Sequence, residues 1–241
     1  REVLSGYASG LQPFAMRLQQ AATWWCRVAC VGLVQQAAEG NFTWPQLSGP
    51  LAGNAAVFQR YLSSCRALQV VPSADALVHL QLGSHRLVLR PTAARPFGDL
   101  ELQALVGLLE DENGAMLKGI RHLDLSACSL GPAGVMLLAH LLQHAKCSLE
   151  YLDLSNQVVD HESVCSIASA VRKSPSLREW RMRSCHLGDE GGLIIMDIIN
   201  DTAGRSRALR VVDIQNNYIS FDTCSQIRKV AKSTGVRVNL Q

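Results

Sequence analysis

The sequence predicts an α/β solenoid: a parallel sheet lining a concave side, helices covering the convex side, and a mostly helical region before them. Three observations carry this reading. Residues 120–130, 149–159, 177–187 and 209–219 share one pattern, L-x-x-L-x-L-x-x-(C/N)-x-L, with starts 29, 28 and 32 residues apart. Each copy is followed by a turn and then by apolar residues at helical spacing, so strand and helix alternate at a fixed period. The columns formed by aligning the copies stay apolar: Leu138, Ile167, Ile195 and Ile227, then Leu142, Val171, Ile199 and Ala231. A one-residue slip would turn those side chains away from the core, so the register is well specified.

Along the chain, Leu11, Phe14, Leu18, Ala21, Ala22 and Trp25 predict a helix from about Pro13 to Ala38, with Pro13 in its first turn. Residues 40–53 gather Gly, Pro, Asn and Ser and read as a loop. Asn54 is placed to cap a second helix whose apolar face holds Phe58, Tyr61, Leu62 and Cys65, and Val70-Val71-Pro72-Ser73 ends that unit. Residues 77–87 also fit the template, with His85 in the Cys/Asn slot, but start 43 residues before Ile120. They are read as a degenerate first repeat with an insertion around Arg90 to Pro96; the alternative is a β-hairpin pairing Leu80–Leu82 with Leu87–Leu89 through Gly83-Ser84. Asp99 is placed to cap a helix through Leu102, Leu105, Val106 and Leu109, which shields the first regular strand as a solenoid cap does. The expected divisions are a helical region over 1–75, the degenerate repeat or hairpin with its capping helix over 76–116, and repeats over 117–241.

In the repeats, the turns are Gly131–Gly134, Asp160–Ser163 and Gly188–Gly191, with helices expected at Val135–Gln143, Val164–Lys173, Leu193–Asn200 and Ser220 to about Lys232. Val236–Leu240 reads as a final strand, its open edge expected to be covered by another chain.

The stretches Leu123-Asp-Leu-Ser-Ala-Cys128-Ser-Leu-Gly-Pro-Ala-Gly134 and Cys185-His-Leu-Gly-Asp-Glu-Gly191 resemble the ribonuclease-inhibitor-like class of leucine-rich repeat proteins. The resemblance covers 117–241, or 77–241 with the degenerate unit, and it implies a fold rather than a function. Three departures stand out: Trp180 in place of the second template Leu, Gln157 in the Cys/Asn slot, and the stretch Thr202–Arg207 that lengthens the last spacing.

A 48% hydrophobic content suits a core formed without metals or staples. The net charge of +3 is too mild to imply nucleic acid, although eight Arg and three acids in 1–95 are followed by five acids and no base in 96–116. Cys128 and Cys185 fall in the repeat slot, where a small thiol bonds backbone in the turn. None of the eight cysteines forms a C-x-x-C pair, which points to a reducing intracellular compartment, the cytoplasm or cytoskeleton before the mitochondrion, and away from zinc. The triplets Asn41-Phe-Thr43 and Asn200-Asp-Thr202 pull weakly toward secretion. His140 and His144, four apart on an expected helix, lack the Glu of an H-E-x-x-H site, and no cofactor is expected. No apolar run is long enough for a membrane span.

Strands stacked in parallel place equivalent outward residues side by side. The slot between the inward leucines reads Asp124, Asp153, Arg181, Asp213; two residues earlier it reads His122, Tyr151, Glu179, Val211; two later, Ser126, Ser155, Arg183, Gln215. Arg181 between two aspartates reads either as a lateral ion ladder relieving Asp–Asp repulsion or as a charged recognition strip with Tyr151 as aromatic anchor. Candidate partner contacts are therefore His122, Asp124, Tyr151, Asp153, Glu179, Arg181, Arg183 and Asp213, with Trp24 and Trp25 as a second docking point. An open, solvated sheet without a nucleophile–base pair argues against catalysis. The reading is a non-catalytic interaction or scaffold subunit binding other protein subunits in an intracellular assembly. A ribonucleoprotein subunit contacting RNA through Arg17, Arg27, Arg60 and Arg66 is the less favoured alternative, and a regulator of a small GTPase, as in GTPase activators of the same repeat class, is the third.

Overall fold

The computed structural model describes residues 55–92, 96–109, 119–144, 147–201 and 208–240. The expected helix over 13–38, Trp24, Trp25, Arg17, Arg27 and the stretch 202–207 lie outside these residues. Six strands form one parallel sheet in chain order: β1 (Arg86–Val88), β2 (His122–Asp124), β3 (Tyr151–Asp153), β4 (Glu179–Arg181), β5 (Val211–Asp213) and β6 (Arg237–Asn239). Seven helices accompany them among the described residues: α1 (Ala55–Ala67), α2 (Ala74–Leu82), α3 (Asp99–Leu109), α4 (Pro132–Gln143), α5 (His161–Lys173), α6 (Gly188–Asp201) and α7 (Phe221–Thr234). The predicted α/β solenoid is the observed architecture. Adjacent strands pair without slip, so Leu87, Leu123, Leu152, Trp180, Val212 and Val238 form one inward row.

The apolar columns expected from the repeat register all lie in the core, with Leu138, Ile167, Ile195 and Ile227 facing the sheet and Leu142, Val171, Ile199 and Ala231 one turn on. Burying side chains of this size stabilises by about 1.5–3 kcal/mol each, which is what holds a stack of short, three-residue strands together. Helices α4, α5 and α6 begin a turn earlier than expected, because the predicted turn residues are the first helical turn: Pro132 sits at its start in α4, and Glu162, Asp189 and Glu190 favour the positive helix N-terminus. Asp160 and Ser220 cap α5 and α7, accepting from the Ser163 and Thr223 amides at 2.8 and 3.3 Å.

The Cys/Asn slot works as a rung between repeats. Cys185 Sγ donates to the Leu154 carbonyl at 3.2 Å, as expected of a thiol there. Asn217, 1% exposed, accepts from the Cys185 amide at 2.7 Å and donates to the Met182 and Ile214 carbonyls at 2.6 and 3.0 Å. Gln157, the apparent exception, is also buried and donates to the Leu125 carbonyl at 2.9 Å, so its longer amide performs the same bridging.

Residues 77–87 depart from both sequence readings. Leu77–Leu82 is helical, and the strand is Arg86–Val88, paired in parallel with β2, so there is neither a template strand at Leu80–Leu82 nor a hairpin. The reason is local. Ser73 caps α2 by accepting from the Ala76 amide, Gly83 ends it in the left-handed region at φ 58°, and L-x-x-L is equally an i, i+3 pair on a helix. Leu87 and Leu89 then supply the inward pair of the first strand. Helix α3 occupies its expected place, but its N-terminus is held by Glu101, whose carboxylate accepts from the Gly98 amide at 2.9 Å. The Asp99 carboxylate instead accepts from the Gly131 amide at 2.7 Å, tying this helix to the turn before α4. His144 is the C-cap of α4, where the backbone leaves the helix.

Candidate functional site

The concave face is built from the outward residues of the six strands, which the register places in lateral rows. One row runs Arg86, His122, Tyr151, Glu179, Val211, Arg237; the next runs Val88, Asp124, Asp153, Arg181, Asp213, Asn239. His122 and Tyr151 stack face to face with ring centroids 3.7 Å apart and planes within 5°. Arg86 Nη2 lies 3.5 Å from His122 Nε2 on one side, and the Arg181 guanidinium sits 5.1 Å from the Tyr151 ring centre on the other. Four adjacent strands thus carry a guanidinium, an imidazole, a phenol and a guanidinium in sequence.

Protonation fits this arrangement. Burial, reinforced by the Arg86 charge, pulls the His122 imidazole below its ordinary range. Burial, and then the Asp153 carboxylate beside it, push the Tyr151 phenol up; it stays protonated and donates to Asp153 Oδ2 at 3.0 Å.

The aspartates of the second row lie deeper. Asp124, Asp153 and Asp213 are 8%, 8% and 3% exposed, and each turns one oxygen back to accept the amide two residues on, from Ser126, Ser155 and Gln215. That contact closes the end of each strand. Burial alone would raise the Asp124 carboxyl, but the bonds from Ser126 and Arg90 outweigh it and hold the group below the usual carboxylate range. Arg181 does not bridge the aspartates on either side of it, and the cross-strand ion pairs are made by other arginines. Arg181 pairs with Glu179 on its own strand at 2.7 Å, leaving Asp153 to Tyr151; Asp213 is met by Asn239 at 3.1 Å and Arg183 at 3.7 Å, and Asp124 by Arg90 at 3.0 Å. The cause is side-chain length: Arg181 folds back along its strand more readily than it reaches a carboxylate already turned toward its own loop.

The side chains of Arg90, Arg181 and Arg183 keep 57%, 36% and 44% of their surface exposed. The Arg181–Glu179 pair, open to solvent at both ends, contributes only about 0.2–1 kcal/mol, so it orients the guanidinium more than it stabilises the fold. Solvent therefore meets arginines and an aromatic stack, with carboxylates beneath. Arg86, Arg90 and Arg237 were not singled out from the sequence; the Leu87-x-Leu89 pair was the signal that would have placed the first two. Arg60 and Arg66 are exposed on α1, away from this row. Among the described residues, no three His, Cys, Asp or Glu are grouped to hold a metal, and no helix is long and apolar enough to cross a membrane.

A family model described as "Leucine Rich repeat" matches residues 120–139 and 173–195. The chain is 32% identical over 126 residues to human NACHT, LRR and PYD domains-containing protein 14, an alignment covering 52% of this chain and 11% of that protein. It is 31% identical over 121 residues to the mouse protein of the same name, covering 50% and 11%, and 26% identical over 110 residues to human NACHT, LRR and PYD domains-containing protein 3, covering 46% and 10%. The chain spans about a tenth of the length of the curated relatives it matches.

Proposed function

The chain is a leucine-rich repeat protein, and on that premise we propose that it is a non-catalytic interaction subunit of a larger intracellular assembly, of the ribonuclease-inhibitor-like subclass, binding a protein partner on its concave face. The observation that carries this reading is the Arg86–His122–Tyr151–Arg181 stack. Its groups are held in place before any partner arrives, by contacts too weak to matter for stability, and ordering contact side chains in advance lowers the entropy cost of association. Tyr151 and Arg181 are the residue types that most often dominate binding energy. His122, Glu179 and Arg183 flank them, while Asp124, Asp153 and Asp213 set the backbone and the arginines in position. Exposed guanidiniums over buried carboxylates favour a partner segment that presents acidic side chains.

The test is native purification of the full chain with quantitative identification of co-eluting proteins, comparing wild type with a Tyr151→Ala, Arg181→Ala double variant. A partner present with wild type and reduced at least tenfold with the variant is the expected result, since central contacts of this kind each contribute about 2 kcal/mol or more. Elution of the wild-type chain with no partner, or a partner retained equally by both, would overturn the reading.

A further inference from the structure

Seven large hydrophobic side chains are exposed among the described residues, and three of them, Val158, Tyr218 and Phe221, lie within two residues of the last template residue of a repeat. Counted from the last template residue of each repeat (Leu130, Val159, Leu187, Ile219), Val158 and Tyr218 stand one before, Phe221 two after, and Met136 and Leu193 six after. Because α4, α5, α6 and α7 pack against one another in chain order, equal positions lie in line: Val158, His186 and Tyr218 form one column at the loops leading into the helices, with Phe221 at the start of α7, while Met136 and Leu193 lie further on, within α4 and α6. Val158, Tyr218 and Phe221 are 78%, 74% and 80% exposed. The His186 ring, in the same column as Tyr218, lies 5.3 Å from it. Tyr218 is displayed from a left-handed backbone at φ 55°, a conformation that a bulky residue rarely adopts. Scattered apolar residues on a surface need no explanation, but placement of the three most exposed of them at one edge of the repeats does.

The same flank is acidic. Segments 157–163, 186–192 and 217–223 hold Asp160, Glu162, Asp189, Glu190 and Asp222, and no Lys or Arg. Asp160 and Asp189 are fixed as charged groups by accepting from the Ser163 and Ser220 amides. This is the opposite sign to the arginine-lined concave face.

We propose that this flank is a second docking surface, whose occupant is a basic protein segment with apolar anchors: aliphatic or aromatic side chains seat on Val158, Tyr218 and Phe221 while Lys or Arg side chains reach the surrounding carboxylates. Cys165, in the second turn of α5 after Val158, is an exposed thiol, whereas the other described cysteines are buried, so its alkylation is a readout beside the flank.

The experiment uses the full 241-residue chain with three synthetic peptides of equal length: an amphipathic Leu/Lys peptide, its Leu/Glu counterpart and a Lys/Ser peptide without apolar residues. Binding is followed by fluorescence anisotropy, and occupancy by the rate of iodoacetamide alkylation at Cys165, mapped by peptide mass spectrometry. The Leu/Lys peptide is expected to bind and to slow Cys165 alkylation severalfold. Its affinity should fall at least tenfold with Tyr218→Ser, Phe221→Ser and at least fivefold with Glu162→Gln, Glu190→Gln, Asp222→Asn, while Arg181→Ala, on the concave face, leaves it unchanged. Equal binding of the Leu/Glu or the Lys/Ser peptide, unchanged affinity in the Tyr218/Phe221 variant, loss of affinity with Arg181→Ala, or a wild-type dimer that Tyr218→Ser, Phe221→Ser dissociates would overturn the proposal. Failure here leaves the concave-face reading standing, because that reading is tested by Tyr151 and Arg181.

Discussion

Asn217→Leu is expected to lower the free energy of unfolding by about 3–5 kcal/mol, a large fraction of a typical domain's margin of about 5–15 kcal/mol. Leu keeps the branched heavy-atom skeleton of Asn and is the larger of the two, so the loss does not come from a cavity. It comes from orphaned backbone groups: the Cys185 amide and the Met182 and Ile214 carbonyls, all inside the turn joining two repeats, lose partners that water cannot replace. Leaving one buried polar group unsatisfied costs about 1–3 kcal/mol. Asn217→Cys, the residue used at Cys128 and Cys185, is expected to lose about 1–3 kcal/mol, because a thiol still donates to a carbonyl but gives the Cys185 amide a poor acceptor. Urea unfolding with the midpoint and slope fitted separately distinguishes the two; equal stability of Asn217→Leu and wild type would show that the rung is dispensable.

The second large effect is Trp180→Ala, expected to cost about 3–5 kcal/mol. Trp180 replaces the template leucine in the central part of the inward row and is 1% exposed. Removing it leaves a void that β4, fixed by its ladders to β3 and β5, cannot close. The indole Nε1 is buried and has no hydrogen-bond partner in the structure. Trp180→Phe therefore sheds an unpaired donor while keeping most of the ring, and is expected to lose less than about 1.5 kcal/mol. Thermal and urea unfolding of both variants check this; a Phe variant as unstable as the Ala variant would mean that the indole nitrogen is bonded in solution.

The solenoid was legible because two periods coincide: the repeat spacing near 28 residues and the apolar columns at helical spacing within each unit. Register followed, since only one alignment buries Leu138, Ile167, Ile195 and Ile227 together. Residues 77–89 were misread for a physical reason, namely that L-x-x-L is common to the strand template and to a helix, and only capping by Ser73 and Gly83 decides between them. Placing the strand at Arg86–Val88 adds Arg86 to the concave row, and that residue completes the stack. The candidate face was legible as a set of rows but not as chemistry. Asp124, Asp153 and Asp213 point outward by alternation, yet a short carboxylate at a strand end bonds its own turn, whereas Arg181 and Arg183 are long enough to stand clear of it. The exposed flank was not legible because Val158 and Tyr218 occupy the variable template position just before the last apolar residue, and Phe221 lies beyond the template.

The concave face is tested most directly by hydroxyl-radical footprinting of the full chain, alone and in its native complex, with the oxidation rate read at Tyr151. The account predicts a severalfold slower oxidation of Tyr151 in the complex, because a central aromatic contact is desolvated on binding. Unchanged oxidation of Tyr151 in an intact complex would contradict it, and protection confined to Tyr218 and Phe221 would move the partner to the acidic flank.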